Sequence, residues 1–273
     1  MGKYKILTGE SPVAILVILI KNNDIGIMKT RVLLLGACVT LVVSCGVTKE
    51  GTTRKAYYIE KDRMPDAVAF LPAPPVNGSE LFLTDSVCYE RGKDLRDTPR
   101  GAQAVADADH TTKYYMEYFA PELGVLITKE NSPFLFNFLD ISIRNIRASI
   151  SGAKAAYMRK RPFVYFHEPS ARPEADADLG KTGSYPSGHS IRGWGLALIL
   201  SEICPESAEA ILKKGYEYGQ SRVILGVHYQ SDLDAARLAA SAAVAALHSD
   251  EAFQKDLAKA KIEFRKLKKT LSL

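Results

Sequence analysis

Hydrophobic residues beyond Leu81 recur at intervals of three and four, and long stretches lack the strict alternation that marks half-buried strands. This spacing predicts an all-α fold, a single-domain helical bundle, because it gives each helix one apolar stripe. The 229 residues from Cys45 to Leu273 are enough for one domain with a substantial core. The predicted helices cover residues 101–120, 134–160, 189–203, 206–225, 231–248 and 250–268.

The boundary between two of these helices is marked in the sequence. Gly226 is a typical helix stop, and Ser231 to Asp234 forms a Ser-x-x-Asp capping pattern before an alanine-rich run. A helix is therefore expected to start near Ser231. His228 is expected in a tight turn between two helices, with Asp232 in the first turn of the second helix.

Three separate blocks combine basic residues with histidines. They are Lys154 to Arg161-Pro162, then Pro186-Ser187-Gly188-His189, then Ser221-Arg222 through His228 to Asp232. Because cations from distant segments could converge on one tetrahedral oxyanion, the blocks predict a phosphate site. The histidines and the carboxylate would supply proton transfer and a nucleophile. Residues 163–188, rich in Pro, Gly and acidic residues, are predicted to form a long loop over this site.

The pattern resembles the phosphatidic acid phosphatase type 2 superfamily, which also contains the vanadium-dependent haloperoxidases. It is similar above all to the bacterial class A non-specific acid phosphatases. Further matching stretches are Asp94 to Gly101, Ala153-Lys154, Tyr157 and Gly183-Ser184-Tyr185. The likeness covers roughly residues 70 to 250. It implies an exported acid phosphomonoesterase of broad specificity that acts on small phosphomonoesters, with no metal or other cofactor.

The resemblance also implies a phosphohistidine mechanism. His228 would attack phosphorus, and Asp232 would accept a hydrogen bond from the other ring nitrogen. His189 would be the general acid and would later activate water. The expected phosphate-binding groups are Lys154, Arg161, Arg222, the Ser187 hydroxyl and the backbone of Gly188. The neighbouring cations Arg159 and Lys160 lie outside the pattern and are interpreted as surface residues.

Two other enzyme classes fit the same blocks. A haloperoxidase would bind vanadate in the same pocket with His228 as its ligand, but the modest length and the likeness outside the blocks favour the phosphatases. A membrane lipid phosphate or diphosphate phosphatase would need several apolar spans of roughly 18 residues or more. The body of the chain has no such run, although a tethered enzyme could act on lipid-linked substrates.

The N-terminal residues are predicted to direct export. A short basic start at Met28 precedes an apolar stretch, and Val42-Val43-Ser44-Cys45 resembles a lipobox, whose cysteine is acylated. A lipid on Cys45 would hold the enzyme at a membrane, in the periplasm or cell envelope. The alternatives are an ordinary leader cysteine and a membrane hairpin with an earlier apolar run. The predicted divisions are an upstream extension plus leader at 1–45, an irregular tether at 46–80 and the phosphatase domain at 81–273.

The charge of the exported part argues against nucleic acid as a partner. Residues 1–44 hold five of the 36 Lys and Arg and two of the 31 Asp and Glu, which leaves 31 basic and 29 acidic residues, a net of +2. Basic residues near the C-terminus interleave with apolar ones and predict an amphipathic helix packed on the body.

Two cysteines remain once the leader is removed. Cys88 and Cys204 could form one disulfide in an oxidising compartment or remain as two buried thiols. Both a monomer and a homo-oligomer are compatible with the sequence.

Overall fold

The computed structural model describes residues 56–271, so the leader with Cys45 lies outside the described residues. Within this range the chain forms twelve α-helices and no strand, which confirms the predicted all-α fold. The helices are α1 Ala67–Phe70, α2 Glu80–Lys93, α3 Pro99–Ala106, α4 Thr112–Leu123, α5 Pro133–Ala148, α6 Ser151–Tyr157, α7 Pro162–Tyr165, α8 Asp176–Leu179, α9 Gly188–Ile203, α10 Ala208–Ile224, α11 Gln230–His248 and α12 Glu251–Leu271. No helix of this range is both long and apolar enough to span a bilayer.

Helix α9 lies at the centre of the body. Ten of its 16 residues are buried, and it packs against α5, α10, α11 and α12. Gly215 of α10 permits a close approach, because a Cβ at this position would clash with the Cβ of Ala197 on α9. This packing fixes α9 relative to α10; the second sequence block opens α9, and the third begins at the end of α10 and continues into α11.

Some predicted helix boundaries are wrong. The predicted helices at 101–120 and 134–160 are each divided into two, and the Thr111 side chain caps the start of α4. Helix α2 has no predicted counterpart because its apolar residues do not share one face. Leu81 and Leu83 are 69% and 58% exposed, whereas Phe82 between them is buried.

The described part of the predicted tether is packed on the body. Tyr58, Met64 and Leu71 are buried in the main hydrophobic core. The backbone N–H of Tyr58 donates to the Asn145 side-chain oxygen at 2.7 Å, and the Asn145 amide donates to the carbonyl of Ile59 at 2.6 Å. The structural body therefore begins no later than Tyr58, earlier than the predicted boundary at residue 81, and residues 46–55 lie outside the described range.

The C-terminal helix α12 packs one face on α5, in agreement with its amphipathic pattern. Its buried apolar residues are Phe253, Leu257, Ala260, Phe264 and Leu267. Cys88 and Cys204 are both free thiols.

Candidate active site

The three sequence blocks meet at one cleft of about 390 Å³. It lies where the start of α9, the end of α10 and helix α6 come together. Six of the eight predicted site residues line it, namely Lys154, Arg161, Gly188, His189, Arg222 and His228. The other two, Ser187 and Asp232, are fully buried, and the Ser187 amide donates to the Asp232 carbonyl at 3.0 Å.

The turn that carries His228 is fixed by its own backbone. The His228 amide donates to the Arg222 carbonyl at 3.3 Å, and Gly226 takes a left-handed φ of 75°, which glycine adopts without strain. Helix α11 then starts, one residue earlier than predicted, and the Asp232 carboxylate accepts the backbone N–H of Tyr229 at 2.9 Å. Asp232 thus caps the helix and contacts His228 with the same carboxylate.

The His228 ring is held between a carboxylate and a guanidinium. Its Nδ1 lies 3.3 Å from Asp232 Oδ2, and its Nε2 lies 3.1 Å from Arg161 Nη1. Because a carboxylate only accepts, we assign the ring proton to Nδ1, which leaves a lone pair on Nε2. Burial, together with the charges of Arg161, Lys154 and Arg222, lowers the pKa of His228 well below its usual value. The lowered pKa favours the neutral imidazole of His228, which is the form that can act as a nucleophile.

Arg159 is not the surface cation that the sequence predicts. Its side chain is only 7% exposed, with Nη1 2.7 Å from Asp232 Oδ1 and Nη2 2.8 Å from Asp85 Oδ2. Its guanidinium also lies 4.0 Å from the centre of the Tyr229 ring. Burial lowers the pKa of Arg159, but the charges of Asp232 and Asp85 outweigh burial and raise it above its usual value. The neighbouring Lys160 is exposed, as predicted.

Two arginines of the cleft are almost completely buried. Arg161 is 5% exposed and is held by the carbonyls of Leu179 and Val227, each at 2.8 Å. Arg222 is 3% exposed, and its Nε and Nη1 have no hydrogen-bond partner among residues 56–271. Burial lowers the pKa of each guanidinium to about 10, so both remain charged at neutral pH. An oxyanion would satisfy the unpaired N–H groups of Arg222.

Lys154 adds a third positive charge, and this charge depends on pH. Its Nζ donates to the Gly183 carbonyl at 2.8 Å. Burial, followed by the nearby charges of Arg161 and Arg147, lowers the pKa of Lys154 to about 7. The cleft therefore carries the full set of cations in acid and loses one of them above neutrality.

The start of α9 supplies backbone donors and the second histidine. The Ser187 hydroxyl caps the helix by accepting the backbone N–H three residues later at 3.3 Å, and Gly188 and His189 are the first helical residues. Their N–H groups lie at the positive end of the helix. His189 Nε2 lies 3.0 Å from the Ala108 carbonyl and donates to it, which leaves Nδ1 for proton transfer. Burial and the charge of Arg222 lower the pKa of His189 well below its usual value.

The prediction from sequence assigned no role to three polar residues at the cleft. The Ser184 hydroxyl bonds to the Asp232 carboxylate and lies 3.3 Å from His228 Nδ1. Ser184 belongs to the matching stretch Gly183-Ser184-Tyr185, so a signal for it was present. Arg147 and Arg192 line the cleft from α5 and α9, and their basic character was their only sequence signal.

Comparisons with known proteins find a matching family and several similar enzymes. Residues 139–254, which include every predicted site residue, match the PAP2 superfamily. The chain is 48% identical to the non-specific acid phosphatase of Providencia stuartii over 78% of this chain and 86% of that protein. It is 41% identical to the non-specific acid phosphatase of Salmonella typhimurium over 74% of this chain and 82% of the relative. It is 36% identical to the acid phosphatase of Zymomonas mobilis over 74% of this chain and 76% of that protein. The chain therefore belongs to the PAP2 superfamily and, within it, to the bacterial non-specific acid phosphatases.

Proposed function

We propose that this chain hydrolyses small phosphomonoesters of varied structure through a phosphohistidine on His228, without a metal ion. The observation that carries this proposal is a buried imidazole beside three cations, Lys154, Arg161 and Arg222, with its Nδ1 held by Asp232. Cations that neutralise the non-bridging oxygens allow an uncharged nucleophile to approach phosphorus and stabilise the charge of the transition state.

The first step forms the covalent intermediate. The lone pair of His228 Nε2 attacks phosphorus, an N–P bond forms, and the ester P–O bond breaks with its electron pair on the leaving oxygen. That oxygen takes a proton from His189 Nδ1 and departs as an alcohol. Asp232 stabilises the ring of His228, which becomes positive as the N–P bond forms.

The second step returns the enzyme to its starting state. His189, now neutral, takes a proton from a water molecule whose oxygen attacks phosphorus. The N–P bond breaks, its electron pair returns to His228 Nε2, and inorganic phosphate is released. An alcohol in place of the water would give phosphate transfer by the same path.

Substrate binding is expected to prepare His189 for its role as an acid. Burial and Arg222 lower the pKa of His189, which disfavours the protonated form. A phosphate bound beside Arg222 would neutralise the charge of Arg222 and so raise the pKa of His189, because an anion stabilises the imidazolium. The proton on His189 is therefore coupled to phosphate binding, which favours turnover at acidic pH.

The pKa of Lys154 predicts how anion binding depends on pH. Sulfate suits the measurement as a competitive inhibitor because its charge does not change in this range. As the pH rises through about 7, Lys154 loses its proton and its positive charge. We expect the sulfate inhibition constant to rise about tenfold between about pH 6 and about pH 9. In Lys154→Arg this rise should be absent, since arginine keeps its charge, and any remaining change with pH would come from the coupled proton on His189.

The control for this measurement is Lys160→Arg, which changes an exposed neighbour and should reproduce the unmodified profile. A sulfate inhibition constant that is independent of pH in the unmodified enzyme would contradict the role of Lys154.

Trapping the intermediate tests the mechanism directly. The enzyme should hydrolyse p-nitrophenyl phosphate at about pH 5 to 6, just below the pKa of an unperturbed histidine, in the presence of EDTA. Quenching in alkali during turnover should leave a phosphate on the peptide that contains His228, because phosphohistidine survives alkali better than acid. Loss of activity in EDTA, or phosphate on another residue, would contradict the proposal. Bromide oxidation after vanadate loading would support a haloperoxidase instead.

We further propose that the enzyme is exported and anchored by a lipid on Cys45. The support is the resemblance of residues 42–45 to a lipobox after an apolar stretch. Mass spectrometry of the mature protein should find an acylated Cys45 as its first residue. An unmodified N-terminus beyond Cys45 would contradict the anchor and leave an ordinary export leader.

A further inference from the structure

A second basic pocket, of about 320 Å³, adjoins the catalytic cleft. We propose that this pocket, which we call the arginine pocket, binds a second phosphate group of the substrate. The inference rests on the proposed function, because the first phosphate must occupy the cleft beside His228. It assigns to this enzyme a preference for substrates in which the scissile phosphate is linked to another phosphate, as in a diphosphate.

The two spaces are continuous. Arg147, Ser151 and Arg192 line both the catalytic cleft and the arginine pocket. The lining of the pocket includes a further cation, Lys61, whose Nζ lies 5.0 Å from the centre of the Tyr57 ring. An anion in the pocket would therefore face the positive charges of Arg147, Arg192 and Lys61.

The two shared arginines lack acidic partners. No carboxylate within residues 56–271 forms an ion pair with Arg147 or Arg192. Both side chains are only partly exposed, and burial together with the charge of Arg192 lowers the pKa of Arg147 to about 10. Two half-buried guanidinium groups that repel each other favour an anion between them. Arg144 also lines the pocket, but Asp140 pairs with it at 3.0 Å.

The position of the arginines suits two linked phosphates. A Cβ on Gly188 would lie 3.3 Å from Arg147 Nε and 3.6 Å from Lys154 Cε, so Arg147 reaches the same helix start as the catalytic lysine. Arg192 Nη1 donates to the Gly188 carbonyl at 3.0 Å, which fixes it one turn into α9. A phosphate bound at the start of α9 would thus have these arginines on its outward side.

The proposal is tested with two inhibitors that the enzyme cannot hydrolyse, methylphosphonate and methylenediphosphonate. Each is measured as a competitive inhibitor of p-nitrophenyl phosphate hydrolysis by the full chain. The inhibition constant of methylenediphosphonate should be lower than that of methylphosphonate by about tenfold or more, since its second phosphonate group adds charge-assisted hydrogen bonds. In Arg147→Gln the preference for the diphosphonate should fall to about threefold or less. Arg147→Lys should restore part of it.

Arg144→Gln is the matched control. It also removes an arginine from the arginine pocket, but Asp140 already pairs with this arginine. It should retain the preference for the diphosphonate. Equal inhibition by the two phosphonates in the unmodified enzyme would overturn the second site. So would equal weakening of both inhibitors in Arg147→Gln, since Arg147 would then bind the first phosphate. An enzyme that does not hydrolyse p-nitrophenyl phosphate at all would instead contradict the proposed function.

Discussion

Replacing His228 with alanine is expected to lower kcat for p-nitrophenyl phosphate by at least about 10⁴-fold. The substitution removes the only atom proposed to bond to phosphorus, while the cations of the cleft can still bind the substrate. KM should therefore change much less than kcat. No phosphorylated peptide should be recovered after the alkaline quench.

The control must separate loss of the nucleophile from loss of the fold, because His228 is only 2% exposed and its removal opens a cavity. Thermal melting followed by circular dichroism should show a folded His228→Ala variant that still binds sulfate. His167→Asn is a matched surface control. His167 is exposed and has a positive φ of 57°, which asparagine tolerates. A His228→Ala enzyme within about tenfold of the unmodified kcat would rule out the covalent route.

The sequence was sufficient to predict which residues the structure brings together at the cleft, because they lie in short, local motifs. Gly226, His228 and Asp232 define a turn and a helix start, and the first turn of a helix determines where the Asp232 carboxylate points. The convergence of the three blocks required the resemblance to a family. Spacing along the chain does not bring α6, α9 and α10 together; tertiary packing, such as that of α9 against α10, does.

The contribution of Arg159 could not be predicted in this way. Arg159 and Lys160 are adjacent cations, and nothing local distinguishes the buried one from the exposed one. The difference comes from Asp85, which lies 74 residues earlier on α2, and α2 itself has no clear apolar face. A residue whose environment depends on an unpredicted helix is itself unpredictable from the sequence.

Arg159→Ala is expected to lower the free energy of unfolding by about 3–5 kcal/mol. Arg159 contacts Asp85 and Asp232 at 2.8 and 2.7 Å, and both carboxylates are almost fully buried. Removing the cation leaves two buried carboxylates without their arginine partner, which costs more than a surface pair contributes. Activity should fall as well, because Asp232 would lose one of the groups that hold it against His228.

Urea denaturation followed by circular dichroism measures the effect, with two variants for comparison. Lys160→Ala changes the exposed neighbour and should shift the free energy of unfolding by no more than about 0.5 kcal/mol. Arg159→Lys keeps the charge but cannot bridge both carboxylates with a planar fork, so its stability should lie between those of the unmodified protein and Arg159→Ala. If Arg159→Ala and Lys160→Ala unfold at the same urea concentration, the bridge contributes nothing to stability. If Arg159→Ala is unstable but keeps full kcat, Asp232 is positioned by Ser184 and its own helix rather than by Arg159.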